Sequence, residues 1–259
     1  MKKRLFMLFS LIICGFLIFS GCTASTEAVE LDSASVGDYV TFGHYEQDNN
    51  TNNGKEVIEW KVLDKADGRA LLLSKYGLDA KPYNETDTAV TWETCTLRSW
   101  LNNSFFEEAF STSEQSAIPT VTLSNPDNSN FGMGGGNDTQ DQVFLLSLQE
   151  MQQYFNLSNT WTDYDGKDHD VTGYSGIIGG SKYAITSPTA YAKAQGAFTN
   201  SLYHDAEDKE SCWWWLRSPG KRSSYAADVN DCSDVDANGF GVSIGDIAVR
   251  PALWVNLAS

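Results

Sequence analysis

Alternating apolar and polar residues predict that the chain opens as a β-meander. Residues 38–45, 56–63 and 69–75 each follow the two-residue period of a half-buried strand. The turn sequences Asn-Asn-Gly and Asp-Gly, at residues 52–54 and 67–68, separate these segments. The pattern therefore predicts three consecutive antiparallel strands.

The hydrophobic period then changes to that of a helix. Leu97, Trp100 and Leu101 lie at i, i+3 and i+4, which places them on one helical face. Further helix starts are predicted by capping boxes, in which a hydroxyl caps the first turn and a Glu three residues later bonds back. These boxes are Ser104 with Glu107, Ser111 with Glu114, and Ser147 with Glu150. A last helix, capped by Ser187 and starting at Pro188, is predicted to run to about Gln195.

The other predicted elements are strands. They cover residues 120–124, 142–147, 211–217, 225–230, 240–244 and 247–255. Asn238-Gly239 predicts a hairpin turn between the strands at 225–230 and 240–244. Strands, then helices, then strands again indicate an α+β fold, a mostly antiparallel sheet with segregated helices.

Residues 212–220 contain three successive tryptophans, Trp213, Trp214 and Trp215, so apolar cover is expected on both faces of this strand. Arg217 and Arg250 each follow an apolar strand. A guanidinium has five donors in a planar fork and satisfies several buried acceptors at once. We therefore predict structural roles for all five residues, in preference to ligand contacts by the two arginines.

The N-terminus has the pattern of a secretory signal. A basic head at residues 2–4 precedes an apolar core, residues 5–19, that is short for a permanent span. The core ends in Phe-Ser-Gly-Cys, which resembles the bacterial lipoprotein signal, although Phe19 stands where Leu is usual. We predict a signal peptide over residues 1–22, acylation of Cys22 and anchorage to the cell membrane outside the cytoplasm. An ordinary cleaved signal and an uncleaved anchor remain alternatives.

Beyond Cys22 we expect a tether over residues 23–35 and a single domain over 36–259. Lys and Arg number 18 and Asp and Glu 34, and the signal holds three of the bases. The exported part therefore carries 15 bases and 34 acids, a net charge of −19. This charge argues against nucleic acid or an anionic membrane surface as a partner, and it leaves cations such as Ca²⁺ open.

Three cysteines fall in the exported part, namely Cys95, Cys212 and Cys232. Cys212 and Cys232 both lie in the C-terminal strand region. We predict a disulfide between them and a buried thiol at Cys95. Three buried thiols are the alternative.

Three sequence blocks resemble a family of bacterial domains. They are Phe-Gly-His-Tyr-Glu-Gln with Ile-Glu-Trp-Lys-Val-Leu at residues 42–47 and 58–63, Leu-Arg-Ser-Trp-Leu-Asn at 97–102, and Trp-Trp-Leu-Arg-Ser-Pro-Gly with Val-Arg-Pro-Ala at 214–220 and 249–252. The chain resembles a functionally uncharacterised family common in exported and phage-like proteins. The resemblance spans residues 38–257 and implies no particular activity.

The Trp-rich block and the closing Val-Arg-Pro are also similar in style to the C-type-lectin-like fold. That fold is shared by formylglycine-generating enzymes and by variable surface receptors of phage and bacteria. The similarity implies a binding scaffold more than an enzyme.

Two long loops, residues 125–139 and 156–182, are rich in glycine and polar residues. Loops of this length in a compact domain are often functional. Aromatic side chains near acids and amides are suited to holding a sugar or a peptide. We predict ligand contacts by Trp161, Tyr164, Tyr174 and Tyr183, and the alternative is that such rings pin the loops to the core.

Two acidic motifs have the residue types of a calcium site. Asp163, Asp165, Asp168 and Asp170 offer carboxylates at short spacing on a loop, although charged loops are usually only solvated. Residues 234–239 match the first half of an EF-hand, but Gly245 occupies the position that needs a bidentate Glu. We favour a hairpin turn for the second motif, and calcium is the one cofactor predicted as a candidate.

Catalytic motifs are weak. His44, His169 and His204 are too widely separated to show a zinc-ligand spacing. Cys212 and Cys232 are the only plausible thiol pair for an oxidase of the formylglycine-generating type. The sequence therefore predicts a lipid-anchored cell-surface module that binds a glycan or a protein. A cell-envelope hydrolase or thiol oxidase, and a purely structural envelope component, are the alternatives.

Overall fold

A computed structural model describes residues 30–201 and 210–258. The predicted signal peptide, its acylated Cys22 and His204 lie outside the described residues. Within them, no helix combines the length and the apolar character needed to cross a bilayer. The described end of the predicted tether is packed, because Ala34 is buried and its carbonyl accepts a hydrogen bond from Lys65 Nζ at 2.8 Å.

The described residues contain fifteen strands. They are β1 Tyr39–Tyr45, β2 Glu56–Ala66, β3 Arg69–Ser74, β4 Asp79–Ala80, β5 Val121–Leu123, β6 Thr139–Asp141, β7 Val143–Phe144, β8 Thr160–Thr162, β9 Asp168–Asp170, β10 Ile177–Gly180, β11 Trp214–Pro219, β12 Tyr225–Val229, β13 Asp234–Gly241, β14 Ala248–Val249 and β15 Ala252–Asn256.

The helices are short and lie between β4 and β11 along the chain, interleaved with the short strands β5 to β10. They are α1 Thr96–Trp100, α2 Phe106–Ala109, α3 Thr112–Ala117, α4 Leu148–Tyr154 and α5 Ala190–Ala194, with a π-helical segment Leu101–Phe105 joining α1 to α2. The fold is α+β with mostly antiparallel sheets, as predicted.

Two larger sheets form the body of the protein. The first has the order β1-β2-β3-β15-β7, and all its strand pairs are antiparallel. The second has the order β10-β13-β12-β11-β14-β4, in which only β11 and β14 run parallel. A single large cluster of buried residues draws on both sheets. Two small hairpins, β5–β6 and β8–β9, stand outside them.

The predicted meander is confirmed as β1, β2 and β3. Its second turn places Asp67 at φ 53° and Gly68 at φ 70°. Two successive residues with positive φ match the right-handed twist of the strands that they join. Local sequence therefore determines this hairpin.

Capping boxes were reliable where the chain enters a new helix. Both reciprocal bonds are present at Ser111 with Glu114 and at Ser147 with Glu150. The prediction at Ser104 is wrong, because this residue lies inside the π-helical segment, where the helix is already running. The last helix is capped by Thr189, whose hydroxyl accepts from Ala192 N, so the predicted cap at Ser187 is also wrong.

The predicted turn at Asn238-Gly239 is wrong as well. Both residues lie within β13, and β12 connects to β13 through residues 230–233, where Ser233 has φ 64°. Gly239 has φ +68°, and a Cβ there would overlap the carbonyl oxygen of Ala226 on β12. The Asn-Gly signal therefore marks a bulge in a strand, where two backbones approach closely.

Strand β11 has apolar cover on both faces. Trp214 and Trp215 are fully buried, and their indole N–H groups donate to Ala184 O at 3.2 Å and Lys81 O at 2.9 Å. Trp213 is half-buried and packs on Phe240 with ring centroids 4.4 Å apart. Each buried indole thus has its one donor satisfied, as burial of a tryptophan requires.

The buried guanidinium of Arg217 connects β11 to three other segments. It donates to Leu145 O at 2.8 Å after β7 and to Ser124 O at 3.1 Å after β5. It also donates to both carboxylate oxygens of Glu150. The same carboxylate accepts from Ser147 N in the capping box of α4. A loop, a strand end and a helix start are therefore held by one side chain.

Arg250 lies where the chain passes from one large sheet to the other, between β14 and β15. Its Nε donates to Ser74 O at 2.9 Å and its Nη1 to Ala184 O at 3.1 Å. The guanidinium carbon lies 4.8 Å from the ring centroid of Trp214, in a cation–π contact. These contacts tie the crossover to β3 and β11.

Asp228 is a buried acid in the middle of β12. It is 0% exposed, and neither carboxylate oxygen has a hydrogen-bond partner in the described part of the chain. Burial, and then the charges of Asp236 and Asp231, raise the pKa of this carboxyl well above its usual range. The residue is therefore held in its neutral form at a cost to the folded state.

Replacing Arg217 with Ala is expected to lower the free energy of unfolding by about 3–5 kcal/mol, since Glu150 is left without its buried partner. Urea denaturation followed by circular dichroism measures the change. The control, Arg222→Ala, alters an exposed arginine and should shift the value by less than about 0.5 kcal/mol. A loss below about 1 kcal/mol for Arg217→Ala would contradict the proposed role.

Asp228→Asn is expected to raise the thermal midpoint at pH 7. The folded-state pKa of Asp228 lies above its unfolded value, so its contribution to stability is present below the unfolded pKa and is lost as pH rises through the folded pKa. Asn does not titrate, so the gain should shrink toward pH 4. Melting curves at several pH values measure it, with exposed Asp87→Asn as the control. A variant less stable than wild type at pH 7 would be inconsistent with this account.

Candidate functional site

The predicted loop over residues 156–182 contains a hairpin and a strand, β8–β9 and β10. Trp161 and His169 are direct partners across the hairpin, and their rings stack at 4.0 Å between centroids with 5° between planes. On the same unit, His169 Nε2 lies 3.0 Å from Asp163 Oδ2. The hairpin is therefore built by its own aromatic pair and its own acid.

Asp163 holds the turn of this hairpin. Its Oδ1 accepts from Lys167 N at 2.8 Å, and Gly166 supplies φ +78°. Burial alone would raise the pKa of Asp163, but hydrogen bonds from His169 and Lys167 outweigh it, so the pKa lies below its usual value. Asp163 is thus a carboxylate that the turn uses for its own structure.

A cleft of about 320 Å³ lies between the base of the hairpin and the β12–β13 turn. Its lining combines an imidazole, carboxylates, an amide, a thiol and a tyrosine. The lining residues are His169, Asp170, Val171, Tyr174, Ile177, Asn230, Cys232 and Asp234. This mixture of hydrogen-bonding groups and one exposed ring is suited to a polar ligand.

Asp234 forms the buried end of this cleft. Its Oδ2 accepts from Asn230 Nδ2 at 3.2 Å, and burial raises the pKa of its carboxyl. Within the described residues, Asp234 Oδ1 and Trp161 Nε1 form no well-aligned hydrogen bond, but the indole N–H is close enough to offset part of the rise in the pKa of Asp234. A Cβ at Gly180 would overlap both atoms, so only glycine lets the hairpin pack this closely on β13.

The tip of the hairpin reaches a second group of aromatic and basic residues. Lys182 Nζ lies 5.2 Å from the ring centroid of Tyr164 and 5.4 Å from that of Tyr183. Lys61 Nζ, on β2, lies 5.1 Å from the same Tyr183 ring. Residues from the hairpin, the segment after β10 and the first sheet therefore meet at one surface.

The four predicted ligand-binding aromatics have different positions. Tyr164 and Tyr183, 45% and 50% exposed, both contact Lys182 near the hairpin tip, and Tyr174 lies at the cleft, 66% exposed. Trp161 is half-buried and stacked on His169, so its ring forms part of the hairpin. For Trp161 the geometry fits the alternative role, in which a ring pins its loop.

Three acids of the first predicted calcium motif bond within or beside the hairpin, and the fourth, Asp165, is exposed. Asp163 is occupied by the turn, Asp168 accepts from Thr162 Oγ1 at 2.7 Å, and Asp170 accepts from Thr172 N at 2.8 Å. Asp168 and Asp170 lie on one face of β9 and His169 on the other, since side chains alternate along a strand. No metal-binding grouping among the described residues includes these acids.

The half EF-hand motif lies in β13, so its residues are spread along an extended strand and do not form a loop. Asp236 Oδ1 accepts from the backbone and the side chain of Asn238, both at 2.7 Å. Asn238 Nδ2 also donates to Ser175 O at 2.7 Å. These side chains bond to one another and to the loop before β10.

A carboxylate cluster that the sequence did not predict is formed by Glu46, Asp48 and Glu56, with one oxygen of each within 4.8 Å of the others. Backbone N–H groups already bond these acids. Asn50 N donates to both Glu46 and Asp48 at 2.8 Å, and Gln47 N donates to Glu56 at 2.7 Å. The cluster organises the turn between β1 and β2.

The predicted Cys212–Cys232 disulfide is not formed in this structure. Cys212 is a fully buried free thiol whose Sγ contacts Thr186 O at 3.5 Å and lies beside Gly77. The side chain that reaches the β12–β13 turn, where Cys232 lies, is that of the next residue. Trp213 Nε1 donates to Asp231 Oδ1 at 2.7 Å. Cys95 is buried, as expected, and burial raises the pKa of both Cys95 and Cys212 to about 12.

Sequence reasoning missed Lys61, Lys182 and the contribution of Asp234 to the cleft. An outward-facing lysine in an alternating strand is ordinary, so Lys61 carried no local signal. Lys182 carried a weak local signal, since it is next to Tyr183, a predicted ligand-binding residue.

Comparison with protein-family models matches residues 67–257 to a domain of unknown function, DUF6273. Two of the three blocks noted in the sequence, at 97–102 and at 214–220 with 249–252, fall inside the matched region. The block at 42–47 and 58–63 precedes it. Neither curated proteins nor solved structures gave a match.

Proposed function

The chain belongs to the DUF6273 family, and from its N-terminal signal pattern and its exposed aromatic rings we propose that it is an exported, lipid-anchored cell-surface protein that binds a glycan or another protein. Binding takes place around the β8–β9 hairpin. The observation that carries this proposal is the position of Tyr164, Tyr174 and Tyr183, which keep 45–66% of their surface exposed around that one hairpin. Large rings exposed together mark binding surfaces more often than scattered ones do.

The scaffold we propose is C-type-lectin-like, with the core sheets supporting a face of long loops. The antiparallel sheets and the hairpin that projects from them support this proposal. The hairpin is rigid through its own stacked pair and its contact with Gly180, so its exposed rings are presented in fixed positions. Preorganised rings lose little conformational entropy on binding.

Envelope catalysis is the second candidate function, and the cleft favours it. An imidazole oriented by Asp163 shares the cleft with the thiol of Cys232 and with the carboxyl group of Asp234. We place it second because Asp231 Oδ1 lies 3.8 Å from Cys232 Sγ, and negative charge beside a thiol opposes the reactive thiolate. Turnover of a cell-wall substrate by wild type but not by Cys232→Ala would place it first.

Binding is tested by screening the purified protein against glycans, cell-wall fragments and envelope proteins. Tyr164→Ala and Tyr174→Ala should each weaken binding of the best ligand about five- to tenfold, the loss of one aromatic contact. Ile244→Ala, which removes an exposed apolar side chain elsewhere, should leave the affinity unchanged. Binding that neither tyrosine variant alters would place the site away from the hairpin.

Anchorage is tested by Cys22→Ser in the full-length chain. Wild type should take up labelled fatty acid and enter the detergent-rich phase when a detergent solution is warmed, because acyl chains favour an apolar phase. The variant should lose the label and remain in the aqueous phase. An unlabelled wild type in the aqueous phase would contradict lipid anchorage while leaving the binding proposal intact.

A further inference from the structure

The hairpin tip and the edge of the first sheet form one continuous tyrosine–lysine face, defined by Tyr39, Lys61, Tyr164, Lys182 and Tyr183. We infer that this face binds the anionic group of a short acidic saccharide, with the two lysines holding the acid and the tyrosine rings holding the sugar. The inference rests on the proposed binding function and names the chemical class of its ligand.

Contacts between neighbouring strands and loops make the face continuous. Tyr39 on β1 is the direct strand partner of Lys61 on β2. Lys61 lies against Tyr183, and Lys182 bridges Tyr183 and Tyr164. Lys75 extends the same face at the end of β3, with its Nζ 5.3 Å from the Tyr39 ring.

Lys61 and Lys182 differ from most other lysines in their partners. Lys55 pairs with Glu108, Lys81 with Asp79 and Lys193 with Glu210. Within the described residues, the ammonium groups of Lys61 and Lys182 lie over tyrosine rings and have no side-chain hydrogen bond or carboxylate at ion-pair distance. Acids outnumber bases in this chain by 34 to 18, so most lysines could find a carboxylate partner. Two lysines that face rings instead are available to an external anion.

The position of Lys61 adds to this argument. Lys61 is half-buried, and burial together with the nearby Arg250 lowers the pKa of its ammonium. Glu59, two residues earlier on the same strand, is 3.3 Å from Lys75 Nζ, so its charge is already compensated. An anion placed at Lys61 would pair with its ammonium and offset the repulsion from Arg250.

A saccharide fits this face better than other anions do. Exposed rings beside a polar group can stack on the C–H face of a sugar while an ammonium pairs with its acid. A nucleic acid or an anionic bilayer presents many charges, which the net charge of −19 on the exported chain would repel. A short saccharide with one acidic group can pair with Lys61 and Lys182 and is repelled much less by the net charge.

The test uses the purified full-length protein in a neutral detergent on an array of oligosaccharides. Each backbone is present in its neutral form and with uronic acid, sulfate or phosphate. Binding should favour the acidic forms, and Lys61→Gln and Lys182→Gln should each weaken it about tenfold, the loss of one charge-assisted hydrogen bond. Lys221→Gln is the matched control, since this exposed lysine also lies over a tyrosine, Tyr225. It should change binding less than twofold.

The outcomes separate this inference from the proposed function. If the protein prefers neutral glycans and Tyr164→Ala abolishes that binding, the proposed binding function stands and the inference of an anionic ligand is overturned. Acidic glycans bound equally by wild type and both lysine variants would also overturn it. If no saccharide binds while vesicles of anionic lipid do, and both lysine variants abolish that binding, the ligand is a membrane and the inference fails. Binding of an envelope protein alone overturns the inference and keeps the function.

Discussion

The architecture depends on the burial of one cation, the guanidinium of Arg217 in β11. A buried charge is tolerated only when its donors and its charge are both satisfied, and here Glu150 and the carbonyls of Leu145 and Ser124 do so. Because Glu150 also caps α4, the same carboxylate fixes the start of a helix. The central strand, one helix and two connections therefore take their relative positions from a single ionic group.

The two large sheets are joined at a second such group. Arg250 stacks on Trp214 of one sheet and donates to Ser74 of the other, at the point where the chain crosses between them. The β8–β9 hairpin packs against Gly180 of β10 and Asp234 of β13. Tyr164 at its tip contacts Lys182, and the neighbouring Tyr183 contacts Lys61 of β2. The hairpin is therefore packed at its base on one sheet, and its exposed rings lie beside the other.

Local sequence predicted more of the fold than of the site. The meander, two of three capping boxes and the covered tryptophan strand follow from short-range rules, because turn geometry and helix caps involve residues a few positions apart. The errors at Ser104, Ser187 and Asn238 share one cause. Each residue has the local chemistry of a boundary, but tertiary packing continues the helix or the strand through it, or moves the cap to the next hydroxyl.

The sequence by itself determined the residue types at the hairpin, namely its aromatic rings, its acids and its single histidine. Tertiary structure decided which of these are exposed and which face one another. Asp163 and Trp161 became parts of the hairpin, while Tyr164 came to share a lysine with Tyr183. The pairing of Lys61 with Tyr183 joins residues more than a hundred positions apart. Such contacts depend on the path of the whole chain, and no local period or spacing encodes them.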